Sequence, residues 1–455
     1  MKGFIFDINK CVGCQACVVA CSVENEILPP QNWRKVLTYN KSNYPDLPVI
    51  NLSLACNHCE QASCLDACPA NAYSIDKQTG AVLLNAEVCM GCKYCTWACP
   101  FDAPRYDKRN GVVSKCTFCN SRLNDGGIPA CSKNCPTGAL SFDSINDDGL
   151  IKSEHGFPES TINPRIRFIP ERKRKGPEII PSPSSSQGSK YVAKRLKPPD
   201  SKISIKKDWT LLVFTLLVPL LVATIVGVLS GYVFVNTWVF ISAGVLGLLL
   251  STLHLGKKLR AIYALRNLKS SWLSREIFFY GLFLVSSIVY LSLDSVMLWL
   301  GFVSIAFGGS CLFSMDRVYK YFRKVSGLWM DSSSVFLSGL MWISLILQEP
   351  IPLFFIIGIK TFLVIFELIE VWNSISIVKK FFYSLRVFLL VILPVFLFFG
   401  LHIGILYLFF PLFLGEIIDR FDFYSSSYID SPENEYFSLL KKDIKKGNLN
   451  SIHIN

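Results

Sequence analysis

The sequence predicts an α+β domain built around four cysteine groups, followed by an all-α bundle of about eight membrane-spanning helices. Three observations carry that prediction. Sixteen of the 17 cysteines fall between residues 11 and 135. Long apolar runs crowd the chain after residue 208, and a proline-, serine- and lysine-rich stretch separates the two parts. The 455 residues therefore divide into a cysteine domain at 1–150, a basic linker at 151–208, a membrane part at 209–420 and a tail at 421–455.

The cysteine groups have metal-ligand spacing. Cys11, Cys14, Cys17 and Cys21 follow C-x2-C-x2-C-x3-C, and Cys89, Cys92, Cys95 and Cys99 repeat it. Cys56, Cys59, Cys64 and Cys68 carry a four-residue gap in the middle, and Cys116, Cys119, Cys131 and Cys135 an eleven-residue one. Four thiolates per site and the C-x2-C-x2-C-x3-C-P run are what [4Fe–4S] clusters of bacterial ferredoxins require, so four clusters are expected in a ferredoxin-like domain. Zinc would use two separated C-x2-C pairs. Disulfides would need an oxidising compartment, and MKGFIFDINKCVGC enters the first motif at once, so no secretory signal is expected. The phrases CPANAYSID, CPFDAPRYD and CPTGALSFD after the last three motifs read as an internal duplication. Gly13, Ala16 and Gly91 either make turns or let backbone amides approach cluster sulfurs. Motifs work in pairs in two-cluster ferredoxins, but spacing alone leaves the pairing open.

CNHCEQASCLDACPANAYSIDKQTGAV, VCMGCKYCTWACPFDAPRYD and KCTFCNSRLNDGGIPACSKNCPTGAL resemble the electron-transfer subunit of the dimethyl sulfoxide reductase family. The resemblance covers residues 1 to about 150 and all four motifs in order. It implies crossed pairing. The expected ligand sets are Cys11, Cys14, Cys17 with Cys135; Cys116, Cys119, Cys131 with Cys21; Cys56, Cys59, Cys64 with Cys99; and Cys89, Cys92, Cys95 with Cys68. In some relatives a tryptophan replaces a third-motif cysteine; here all four are present. Ser22 stands where the other motifs carry proline, which removes a rigid turn and no ligand.

The linker, with INPRIRFIPERKRKGPEIIPSPSSSQGSKYVAKRLKPPD, is a flexible basic connector whose RIRFIP segment can add an extended strand to the soluble domain or to a partner. Hydrophobic residues at 51 % with only 18 % charged fit a membrane protein. The net charge of +12 raises nucleic acid as a partner, but the basic residues gather in the linker and between apolar runs, so none is expected. Apolar spans are expected near 209–234, 237–255, 276–293, 295–314, 334–348, 351–372, 384–400 and 403–419, the last two joined only by Leu401 and His402. The connectors GKKLRAIYALRNLKSSWLSRE, DRVYKYFRKVSG and SISIVKKFFYSLR are basic, and the opposite ones carry no lysine or arginine. Positive charge stays inside, so the cysteine domain and the tail should face the cytoplasm across the cytoplasmic membrane.

STLHLGKKLRAIYALRNLKSSWLSREI, SMDRVYKYF and GEIIDRFDFY resemble the quinol-handling membrane anchor of the same family, so the chain looks like a fusion of two subunits. The resemblance implies electron transfer between quinone, such as menaquinol, and a separate molybdopterin-containing catalytic subunit. Run in reverse, the same wire would serve sulfite oxidation. A polysulfide- or tetrathionate-type complex and a non-redox membrane scaffold are the competing classes. His254 and His402 fall at opposite membrane faces and cannot share a haem, so none is expected. His254 is the candidate quinone contact. Lys360, deep in a span, and Glu367, seven residues on and on the same helix face, are candidates for a quinone or proton site or for an ion pair between spans. Cys311, outside the ladder, is expected to pack between spans.

Overall fold

The computed structural model describes residues 2–41, 47–146, 149–154, 156–158, 160–172, 203–293, 296–319, 332–371, 377–426 and 431–446. Most of the expected linker, the connector at 320–331 and part of that at 372–376 lie outside the described residues. The chain forms two compact units: Met1–Asp200 with Asp430–Asn455, and Ser201–Ile429.

The first unit is a set of small sheets and short helices. Strands β1 (Lys2–Asp7), β2 (Lys35–Tyr39), β3 (Ile50–Leu54), β4 (Tyr73–Ile75), β5 (Val82–Leu84), β6 (Arg105–Asp107), β7 (Val112–Ser114), β8 (Leu140–Ser144) and β9 (Ile166–Ile169) form one three-stranded sheet and three hairpins. In the sheet, ordered β8-β1-β9, β1 runs antiparallel to β8 and parallel to β9. The RIRFIP segment is thus β9. Alternation along β1 buries Phe4 and Phe6. Phe4 meets Phe118 and Phe142 edge-on at 5.3 and 5.6 Å, and Phe6 meets Phe168 at 6.3 Å, so one strand gathers the aromatic core.

The repeated phrase after each C-P has a common shape. Strands β4, β6 and β8 start five or six residues after Cys68, Cys99 and Cys135. The first two turn back at once. Asp76 accepts from the Thr79 amide at 2.8 Å and Asp107 from the Arg109 amide at 2.9 Å, while Gly80 (φ 70°) and Gly111 (φ 65°) supply the left-handed residue. The third copy pairs with β1 instead, which ties the end of the cysteine region to its beginning.

The tail returns to this unit. Helix Pro432–Lys446 places Tyr436 and Leu440 in the same core as Tyr39 and Phe157. Tyr436 meets Tyr39 at 5.8 Å, the Tyr39 hydroxyl donates to Asp443 at 2.6 Å, and Lys35 pairs with Glu433 at 2.7 Å. Glu433 lies in the first helical turn, where the helix dipole favours an acid.

The second unit is helical. Helices Ile205–Leu229, Trp272–Ser292, Leu298–Val318 and Ile377–Gly400 are long and apolar enough to cross a membrane. Helix Thr237–Leu253 joins Lys258–Asn267 across a 94° bend, which makes a fifth span if the pair is counted as one. At 1.5 Å per residue, 25 residues reach about 37 Å against a hydrocarbon core of about 30 Å. Among the described residues, four or up to five helices thus have the length and apolarity of a span, against the eight expected; Val335–Ile346 and Pro350–Phe366 are apolar but shorter. Two boundaries shift for a physical reason. Helix Leu298–Val318 runs on past Ser314 because the Asp316 carboxylate caps the next helix, accepting from the amides of Val335 (2.6 Å) and Phe336 (3.2 Å) and from Ser334 Oγ (2.6 Å). The final run slides from 403–419 to Phe409–Ser426 because its charges are buried inside the unit, not left at an interface. Small residues seat the helices: Gly244 leaves room for Leu284, and its carbonyl accepts the Tyr280 hydroxyl at 3.0 Å. Cys311 is fully buried in this packing.

Tyr436→Ala removes the main anchor of the returning helix and should destabilise its packing by about 3 kcal/mol. Amide hydrogen exchange in Lys35–Tyr39 and Pro432–Lys446 of the full-length chain should then speed by about a hundredfold. Unchanged exchange there would mean that the helix is not held by this contact.

Candidate metal centres and anchor site

Each cysteine motif folds in the same local way. The second residue after its first cysteine takes a positive φ: Gly13 (72°), His58 (43°), Gly91 (72°) and Phe118 (65°). That conformation curls the C-x2-C segment and turns backbone amides toward sulfur, as the Phe118 amide does to Cys116 Sγ at 3.3 Å. At Gly13 a Cβ would sit 2.8 Å from Asn51 Oδ1, so glycine is required there by space as well as by φ. A short helix then carries the third cysteine: Ala16–Glu24 holds Cys17, Ser63–Ala67 holds Cys64, Tyr94–Ala98 holds Cys95 and Ala130–Lys133 holds Cys131. Of the small residues noted in the sequence, Gly13 and Gly91 make turns while Ala16 opens the helix that holds Cys17, and His58 and Phe118 make the same turn at greater strain. Those two side chains stack on each other at 4.1 Å.

The thiols gather into four groups. Cys11, Cys14, Cys17 and Cys135 line one cavity and Cys56, Cys59, Cys64 and Cys99 another. Cys68 neighbours Cys89, Cys92 and Cys95. Cys116 and Cys131 neighbour Cys21 and, through Cys131, Cys119. Each group draws three thiols from one motif and the fourth from another. Adjacent groups follow one another in a row: Cys17 lies near enough to Cys131, and Cys116 to Cys56, for their charges to act on each other, and Tyr73 feels both Cys95 and Cys64.

Burial governs the chemistry of these thiols. It pushes Cys21 up to about 12 and raises Cys59, Cys64, Cys92 and Cys116 strongly. Each group crowds four sulfurs together, so their ionised forms repel one another and need a cation among them. Cys135 differs: burial raises it, but the amides of Leu140, Thr137 and Ala139 and the Thr137 hydroxyl outweigh that and bring it below the ordinary thiol range. Among the described residues no group of three or more histidine, cysteine, aspartate or glutamate side chains closes around a single ion. Zinc would need its sulfurs about 2.3 Å from one point. An iron–sulfur cube presents its irons at separate corners and takes a wider set of sulfurs, which suits these cavities.

In the helical unit the candidate residues lie apart. His254 ends helix Thr237–Leu253, just before the basic bend at Lys257 and Lys258. Lys360 is buried in helix Pro350–Val371, where it pairs with Glu416, donates to Ser338 Oγ at 3.0 Å and lies 3.8 Å from Asp419. Asp419 pairs with Arg386, and Arg420 donates to the Ser333 carbonyl and to Ser338 Oγ at 3.2 Å. Asp316 is Arg420's neighbour, so three cations face three acids. The acid that Lys360 meets is therefore Glu416; the side chain of Glu367 lies outside the described residues. Sequence reasoning missed Arg386, Glu416, Asp419 and Arg420. The signal was present in GEIIDR, whose charges three and four residues apart share one helix face. It also missed Arg34 and Lys115, two cations buried in the cysteine unit. No periodicity marks either.

Residues 48–145 match the 4Fe-4S dicluster domain model, and residues 209–347 match that of the DMSO reductase anchor subunit (DmsC). The chain is 33 % identical over 162 residues to a component of the anaerobic dimethyl sulfoxide reductase of Escherichia coli, a match covering 34 % of this chain and 77 % of that one. It is 31 % identical over 191 residues to the corresponding component in Haemophilus influenzae, covering 40 % and 89 %. It is also 31 % identical over 198 residues to a subunit of the sulfite dehydrogenase of Allochromatium vinosum, covering 37 % and 82 %. The anchor match and the apolar helices make it a multi-pass membrane protein. The chain belongs to the dimethyl sulfoxide reductase family, as an iron–sulfur electron-transfer subunit that carries its membrane anchor on the same polypeptide.

Proposed function

We propose that this chain relays electrons between quinone in the membrane and a separate molybdopterin-containing catalytic subunit. The ligands would be four [4Fe–4S] clusters' worth of thiols: Cys11, Cys14, Cys17, Cys135; Cys21, Cys116, Cys119, Cys131; Cys56, Cys59, Cys64, Cys99; and Cys68, Cys89, Cys92, Cys95. The carrying observation is the row of four buried thiol groups on a chain that also holds membrane-length apolar helices. Such clusters supply one-electron redox chemistry when bound. The chain's own part is to exclude water from the sulfurs and to aim amides at them, as Ala72 does to Cys68 at 3.3 Å and Leu140 to Cys135 at 3.4 Å. The likeness to a sulfite dehydrogenase subunit supports either direction of flow, so the substrate is set by the partner.

The anchor would cross the cytoplasmic membrane eight times with the cysteine unit on the cytoplasmic side, as the basic connectors favour. His254, beside the basic bend, would receive the quinone head group at that surface and pass its proton. Lys360 and Glu367 would form the deeper end of a proton route, with Lys360 held in place by Glu416.

Cross-motif ligation has a direct test. Cys99→Ser should alter the same EPR signal as Cys59→Ser and leave the one altered by Cys92→Ser untouched. If Cys99→Ser instead tracks Cys92→Ser, the third motif keeps its own cysteine and the proposed sets are wrong. For the anchor, His254→Ala should slow quinol-dependent cluster reduction in membranes by at least tenfold while dithionite still reduces all clusters. Equal quinol rates with normal assembly would remove His254 from the quinone site.

A further inference from the structure

Two buried cations stand at junctions of the thiol row. Arg34, 2 % exposed, lies where the first two groups meet. The charges acting most on it are the thiols of Cys131, Cys17, Cys116 and Cys21, the second from one group and the others from the next. Its guanidinium lies 4.7 Å from the Phe4 ring, and Nη1 donates to Ser53 Oγ at 3.0 Å and to the Ser53 carbonyl at 3.3 Å. Among the described residues Nε and Nη2 have no nitrogen or oxygen partner, and the guanidinium is close enough to hydrogen-bond the Cys131 thiol. Lys115, 3 % exposed, lies at the following junction. Its strongest charged neighbours are Cys56, Cys64 and Cys116, and Nζ donates to the carbonyls of Val82 and of Cys116, the latter at 3.0 Å. Its Nζ is 6.0 Å from the Tyr73 ring, which continues the row toward Cys95.

Neither cation has a carboxylate among the groups that act most strongly on it. A cation held out of water without an acid is retained only where other negative charge offsets its desolvation. The Arg34 bonds to Ser53 brace β2 against β3, but a neutral amide of similar reach would do that without a charge. What a charge adds is a bias on redox state. Each cluster gains one negative charge on reduction, and a fixed cation beside it favours that state.

On the reading that these thiol groups hold clusters, we propose that Arg34 and Lys115 set their reduction potentials, making the junction clusters easier to reduce than their ligands alone would. Arg34 acts on the groups of Cys17 and Cys131, and Lys115 on those of Cys116 and Cys56. Neither cation is among the charges acting most on Cys68, Cys92 and Cys95, whose group forms the less biased end of the row.

The test is a mediated potentiometric titration of the full-length, anaerobically loaded chain, read by EPR. Arg34→Gln should lower the reduced-to-oxidised ratio of the clusters beside it at least tenfold at a fixed potential, a shift of about 59 mV for a one-electron couple. Arg34→Lys should stay within about threefold of the parent, since charge and not hydrogen-bond geometry is claimed to act. Unchanged potentials in Arg34→Gln with all clusters present would overturn the assignment. If Arg34→Gln does not hold its clusters, Lys115→Gln is titrated with the same criterion, and loss of clusters in both assigns the cations to assembly and overturns the tuning role. A parent protein without iron–sulfur signals would instead defeat the cluster reading on which this inference rests.

Discussion

Sixteen thiols crowded together, most of them buried, cannot ionise together on their own, and the first unit is organised around that constraint. Burial raises Cys21, Cys59, Cys64, Cys92, Cys95 and Cys116 well above the ordinary thiol range. Every local feature of the motifs works against this penalty. The positive-φ residue at the second position of each motif turns amides toward sulfur, short helices fix the third thiol, and two buried cations stand between groups. The aromatic core of Phe4, Phe6, Phe118 and Phe168 does the opposite work of keeping solvent out. A site that needs ionised sulfur inside a dry core is built to be completed by metal.

Closure of this unit comes from distant parts of the chain. Strand β1 pairs with β8 and β9, and the helix at Pro432–Lys446 packs on β2 after the whole anchor has been traversed. Tyr436 lies near Cys11, at one end of the thiol row. The anchor has its own organising interaction, the buried set of Lys360, Arg386 and Arg420 with Glu416, Asp419 and Asp316. Removing one member of such a set leaves its partner uncompensated, which is costlier than the pair itself is stabilising.

Much of this was legible from local sequence. Cysteine spacing, the repeated phrase after C-P and the apolar runs each act within a few residues, and each became a turn, a hairpin or a helix where it stood. What escaped depends on pairing across long separations. Lys360 could be flagged as a buried charge, but the acid it meets among the described residues, Glu416, is fifty-six positions away. The charges of GEIIDR look like the end of a span when counted by hydropathy, yet they are buried among helices. Arg34 and Lys115 sit in ordinary basic surroundings, and only the three-dimensional position of the thiols makes them special. Nothing in the tail's lysine-rich composition marked Tyr436 and Leu440 as the residues that carry its packing.

On the proposed function, each of the four thiol groups holds an iron–sulfur cube. Metal and acid-labile sulfide analysis of the anaerobically purified full-length chain, with EPR spin quantitation after full reduction, tests it most directly. The account predicts about sixteen iron and sixteen sulfide per chain, four of each for every cube, and reduced signals summing to about four spins. About four zinc per chain, no sulfide and no signal would contradict it.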